Sequence, residues 1–107
     1  MAKKSFLFNW TGFFAEKLVT ATVEDAAKTD VVLTFSPIGA VKAFSKNVKT
    51  EFTLAGKTVD SIALDYSAGT LTVVVTEAYG AGANFNLTFN PVKKGDTVVQ
   101  EITNNVA

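Results

Sequence analysis

The sequence predicts an all-β sandwich of about seven short strands. Three observations carry that expectation. From residue 18 onward, runs rich in Val, Thr, Leu, Ile and Phe alternate with Gly, Asp, Asn, Ser and Pro, the punctuation of strands separated by turns. Within the runs, apolar and polar residues alternate with the period of two that one buried sheet face requires. A chain of 107 residues, 48% hydrophobic and 19% charged, is one domain, long enough to bury roughly 65% of its unfolded surface around a single core.

Leu18 to Glu24 sets Val19, Ala21 and Val23 against Thr20, Thr22 and Glu24 and reads as the first regular strand. Asp25 to Asp30 reads as a polar connection. Val31 to Ser36 then points Val31, Leu33 and Phe35 inward, and Pro37 ends it because proline has no N–H for a ladder. Over residues 38 to 50, Val41, Phe44 and Val48 recur at three- and four-residue spacing. That spacing fits a short helical turn over the sandwich end, or a loop anchored by one Phe. Glu51 to Leu54 predicts a short strand before a turn at Ala55, Gly56 and Lys57.

Thr58 to Tyr66 aligns Ile62, Leu64 and Tyr66, and Thr70 to Glu77 aligns Leu71, Val73 and Val75. Ser67, Ala68 and Gly69 join them as a hairpin, with Gly69 free to take a positive φ. After a glycine-rich loop from Ala78 to Ala83, Asn84 to Asn90 alternates Phe85, Leu87 and Phe89 with polar residues. Pro91 and a turn around Lys93, Lys94, Gly95 and Asp96 lead to a last strand, Thr97 to Thr103. The expected core contains Phe35, Leu71, Val73, Phe85, Leu87 and Phe89. Leu33-Thr34-Phe35-Ser36-Pro37-Ile38 is echoed by Leu87-Thr88-Phe89-Asn90-Pro91-Val92. We read the echo as two strands that share an inward Phe followed by a Pro stop.

The order Val32-Leu33-Thr34-Phe35-Ser36, Phe52-Thr53-Leu54-Ala55-Gly56, Gly69-Thr70-Leu71-Thr72-Val73, and Tyr79-Gly80-Ala81-Gly82 with Leu87-Thr88-Phe89 resembles bacterial immunoglobulin-like domains. Gly95-Asp96-Thr97-Val98 resembles their closing strand. The resemblance covers residues 18 to 107 and carries no catalytic signature. It implies an immunoglobulin-like sandwich, of the kind also found in phage capsid decoration proteins.

Composition narrows the function. All ten basic residues are lysines, balanced by ten carboxylates to a net charge of zero, so no bulk attraction to nucleic acid or to an anionic membrane is expected. The chain has no arginine, histidine or cysteine, which removes the bidentate phosphate clamp, the neutral-pH acid/base switch, the thiolate nucleophile and the usual zinc ligands. A non-enzyme without cofactor or metal is the expectation. Lys3 and Lys4 before Phe6-Leu7-Phe8 suggest an export signal, but Asn9, Thr11 and Gly12 interrupt the apolar run and no cleavage site follows before Glu16, so the leader is expected to be retained.

Residues 1–17 read as an N-terminal arm or edge strand, ahead of a sandwich over 18–107. The arm holds four of the nine phenylalanines and the only tryptophan. Either Phe6 and Phe8 face inward from a first strand, or Phe6, Phe8, Trp10, Phe13 and Phe14 bind a neighbouring subunit, where such aromatics are typical anchors. The expected role is a structural subunit of a virus particle, most concretely a phage auxiliary capsid protein. Its partners would be the major capsid protein or neighbouring copies on the lattice, after assembly in the host cytoplasm. The alternative is an adhesion or carbohydrate-binding module of a bacterial cell surface, with Tyr66, Tyr79 and loop glycines in contact. Glu24, Asp25 and Asp30 lack the spacing of a calcium loop. Lys42, Lys46 and Lys49 read as a solvated face, and the sequons Asn9-Trp10-Thr11 and Asn86-Leu87-Thr88 as chance matches.

Overall fold

A computed structural model describes residues 9–92 and 95–107. The expected strand residues Phe6 and Phe8, and Lys93 and Lys94 of the expected turn, lie outside the described residues. The protein is all-β. A short helix α1 (Trp10–Lys17) precedes strands β1 (Leu18–Glu24), β2 (Ala27–Phe35), β3 (Phe52–Leu54), β4 (Val59–Asp65), β5 (Thr70–Val75), β6 (Phe85–Phe89) and β7 (Val98–Asn105). Two 3₁₀ helices, Ile38–Phe44 and Lys49–Glu51, connect β2 to β3.

The strands run in the order β3-β6-β7-β1-β2-β5-β4. One strand joins the two halves of the sheet. Val98 to Ile102 of β7 pairs antiparallel with β6, and Thr103 to Asn105 pairs parallel with Thr22 to Glu24 of β1. The sheet bends there into a barrel-like wrap whose inward side chains form one core. Val23, Val31, Leu33, Leu71 and Val73 meet Leu54, Leu87, Phe89 and Ile102 inside it, each at most 1% exposed.

Several sequence expectations are met and several are corrected. Leu71, Val73 and Val75 are buried, and Leu87 and Phe89 are fully so, whereas Phe85 is half-buried. The β4–β5 hairpin turns at Gly69 with φ +72°, and a Cβ there would lie 2.8 Å from Ile38 Cα, so both the torsion and the close approach call for glycine. Val19 does not share a face with Ala21 and Val23. Leu18 pairs with Phe35 and Thr20 with Thr34, which makes Val19 the extra residue of a β-bulge and turns it outward at 60% exposure. The polar stretch Asp25 to Asp30 is mostly strand, because β2 already begins at Ala27 and only a two-residue turn separates it from β1. Tyr66 and Val48 are exposed, and of the 38–50 pattern only Val41 and Phe44 enter the core, from a 3₁₀ helix.

Candidate functional site

The N-terminal aromatic segment is a helix, not an arm or an edge strand, over the residues described. Asn9 starts it: its side chain accepts from Gly12 N–H at 2.9 Å and its carbonyl from Phe13 N–H at 3.0 Å. A second cap comes from the foot of β7. The Asp96 carboxylate accepts from Trp10 N–H at 2.6 Å, from Thr11 N–H at 2.9 Å and from the Thr11 hydroxyl. These hydrogen bonds, that of the Thr11 hydroxyl foremost, hold the Asp96 carboxyl below its ordinary value. Negative charge at a helix N-terminus also complements the unpaired amides there.

The cap holds Trp10 and Phe14 one turn apart on the side of α1 that faces the core. Trp10 packs on Phe44 and Phe89, each at 4.9 Å between ring centroids, and Phe14 meets Phe35 at 5.7 Å and Phe44 at 5.9 Å. Phe13 is half-buried against Phe35 and Phe44. Of the five aromatic residues expected to contact a partner, Trp10 and Phe14 therefore sit in this chain's own core, Phe13 packs along it, and Phe6 and Phe8 fall outside the described residues. A core of edge-to-face and tilted rings at such distances is favourable beyond its area alone.

Glu51, expected in a strand, ends the second 3₁₀ helix and is buried at 4% exposure. Its Oε1 accepts from Val48 N–H at 2.7 Å and Asn47 Nδ2 at 3.0 Å, and Oε2 accepts from Val92 N–H at 2.8 Å. Its own carbonyl accepts from Asn90 N–H at 2.8 Å. One carboxylate thus ties the segment before β3 to the segment after β6, saturating donors that burial would otherwise penalise. This is a structural node; all three donors to its carboxylate are satisfied inside the chain.

Tyr79 is a core residue and not the exposed contact expected of it. It is 9% exposed, stacked on Phe85 at 4.2 Å with Lys57 Nζ 4.6 Å from its ring centroid. Among the described residues its hydroxyl has no hydrogen-bond partner, and burial, with the Glu77 charge second, pushes the phenol up to about 12. Tyr66 alone of the pair is on the surface, at 47% exposure.

The acidic residues near the β1–β2 turn go to different partners. Glu24 accepts from Asn105 Nδ2 at 2.8 Å, Asp25 lies 3.6 Å from Lys28 Nζ and accepts from Ala107 N–H, and Asp30 meets the Thr29 hydroxyl at 3.4 Å. Among the described residues no three acidic side chains converge as metal ligands would. Lys42, Lys46 and Lys49 are exposed, and Lys49 Nζ donates to the Asp60 carbonyl at 3.1 Å.

A cleft of about 410 Å³ lies between β1 and β7, lined by Phe14, Leu18 to Thr22, Gln100, Glu101 and Thr103. Among the described residues, the two strands pair over Thr22 to Glu24 and Thr103 to Asn105. The cleft, Glu51 and Asp96 escape a reading of the sequence because each depends on residues far apart along the chain; Asp96 and Trp10 are 86 positions distant. Asn9 as a helix cap and Trp10/Phe14 at four-residue spacing are the local signals that mark α1. No helix among the described residues is long and apolar enough to cross a membrane. Comparison of the chain with known protein families, with characterised proteins and with solved structures returns no match.

Proposed function

We propose that this chain is a structural, non-catalytic module of immunoglobulin-like topology that serves as an auxiliary, decorating subunit of a virus particle. The observation that supports the reading is the strand order. Within the single sheet β3-β6-β7-β1-β2-β5-β4, the neighbours β1-β2-β5-β4 and β3-β6-β7 match the two strand groups of a constant-type immunoglobulin domain. Such a scaffold offers loops and strand edges to protein partners, and its role lies in the surface it presents. Trp10 and Phe14 belong to the core, so attachment to a capsid lattice or to neighbouring copies falls to outward side chains. Among the described residues, Val92 at 76% exposure and Val99 at 63% are the most exposed large apolar ones.

The test is the protein's copy number in particles purified from cells that carry its gene. Quantitative mass spectrometry is expected to find it in a fixed ratio to the major capsid protein, and Val99→Asp with Val92→Asp to reduce co-sedimentation without lowering the melting temperature. Absence from the particles rules the reading out.

A further inference from the structure

We infer that Val48 and Val92, with Lys42, Lys46 and Lys49 beside them, form one docking surface, and that its partner is an acidic patch with an apolar centre on the major capsid protein. The inference rests on the decorating role proposed above and names the chemistry that this role asks of the partner. Glu51 brings the two valines together. Its two carboxylate oxygens accept from Val48 N–H at 2.7 Å and from Val92 N–H at 2.8 Å, so one small group holds both backbones. The β3–β6 register gives the same placement. Carried past the pair Phe52↔Phe89, it lays the segment before β3 beside the segment after β6, where Asn90 N–H donates to the Glu51 carbonyl at 2.8 Å. Val48 is 52% exposed and Val92 76%. Single exposed valines are ordinary, but an adjoining pair fixed by a buried carboxylate is a preformed apolar contact.

Charge decides what meets it. From Ser36 to Thr50 the sequence carries three lysines and no carboxylate. The next residue, Glu51, is buried and engaged by amides, so the charge this segment presents is positive. Lys42, Lys46 and Lys49 are all exposed. Their backbone is held firmly, because Val41 and Phe44 bury the 3₁₀ helix that carries Lys42 and Asn47 Nδ2 donates to Glu51 at 3.0 Å between Lys46 and Val48. Asp60, whose carbonyl accepts from Lys49 Nζ at 3.1 Å, is an acidic neighbour that offsets part of this charge. An apolar centre with a cationic rim matches an apolar patch rimmed by carboxylates on another protein. A nucleic acid backbone would leave the two valines without an apolar partner.

Attraction between such rims is screened by salt. The test is co-sedimentation of the full-length protein with particles assembled without it, in rising salt. Wild-type binding is expected to weaken at least about tenfold between about 50 and about 500 mM salt. Lys42→Glu with Lys46→Glu is expected to weaken low-salt binding by about tenfold or more at an unchanged melting temperature, while Lys42→Arg with Lys46→Arg retains it. Lys42→Gln with Lys46→Gln gives the same reading without charge reversal, through a smaller loss and a shallower salt dependence. Wild-type affinity in the Glu pair, or wild-type binding indifferent to salt, overturns the proposal and leaves the decorating role standing. Wild-type protein that binds the particles at no salt concentration overturns both. Tighter binding to vesicles containing phosphatidylserine than to particles also overturns the proposal, by assigning the surface to lipid.

Discussion

The two halves of the core are built by different means. Around β1, β2 and β5 the interior is aliphatic, with Val23, Val31, Leu33, Leu71, Val73 and Val75 projecting from paired strands in unbroken alternation. At the other end it is aromatic, and Trp10, Phe14, Phe35, Phe44, Phe52 and Phe89 come from a helix, a 3₁₀ helix and the ends of separate strands. The aliphatic half is held by ladders and packing. The aromatic half also needs two carboxylates, Asp96 on the amides of α1 and Glu51 between the segments flanking β3 and β6. Where side chains come from regular strands, pairing alone orients them; where they come from segment ends, polar ties have to fix the backbone first.

Phe44→Ala tests that contrast most severely. Phe44 lies within 6 Å of the rings of Trp10, Phe13, Phe14, Phe35 and Phe89, so its removal is expected to cost about 4–5 kcal/mol in denaturant unfolding. Glu51→Ala strands the Val48 and Val92 amides and should cost about 2–4 kcal/mol. Val73→Ala, in the aliphatic half, is expected to cost about 2 kcal/mol. A Val73→Ala loss equal to that of Phe44→Ala would erase the distinction.

Acid should loosen the cap on α1 without mutation. Asp96 is held below its ordinary value, by the Thr11 hydroxyl first. Its contribution is complete above the unfolded carboxyl value near about pH 4 and is lost as pH falls through the lower folded value. Asp65, held down by the Ser67 hydroxyl, Glu77, by Thr58 N–H, and Glu24, by the Asn105 side chain, act in the same direction. Trp10 fluorescence is expected to change in that acid range, and Asp96→Asn to flatten the change. The smallest effect belongs to Tyr79→Phe. Deleting an unpartnered buried hydroxyl should alter neutral-pH stability by less than about 0.5 kcal/mol. Because burial raises the phenol to about 12, the wild type loses stability as pH rises from the unfolded value near about 10 through the folded one, and the variant does not. Melting curves at neutral and alkaline pH check both statements.

The same division explains what could be read from the residues. Leu71/Val73/Val75 and Leu87/Phe89 declare their strands because a sheet's period is local. Val19 misleads that reading, since a bulge that displaces one residue reverses a face without altering the alternation around it. α1 is hidden by Thr11, Gly12 and three aromatic residues, poor helix formers that packing and a distant carboxylate override. Glu51 looks like an ordinary strand polar residue until Val92, 41 positions on, closes over it.

β7 also sets when the molecule can become whole. It is the element that both sides of the core share, and it bonds residues as distant as Glu24 and Asn105, 81 apart along the chain. During synthesis the β1–β2 hairpin and its β5 and β4 neighbours emerge well before it. Until β7 leaves the ribosome, β1 keeps an open edge and β6 lacks a partner on one side. Folding should therefore be slow for a chain of this size, governed by one late long-range pairing, and the nascent chain is open to pairing with its neighbours on a polysome throughout that interval.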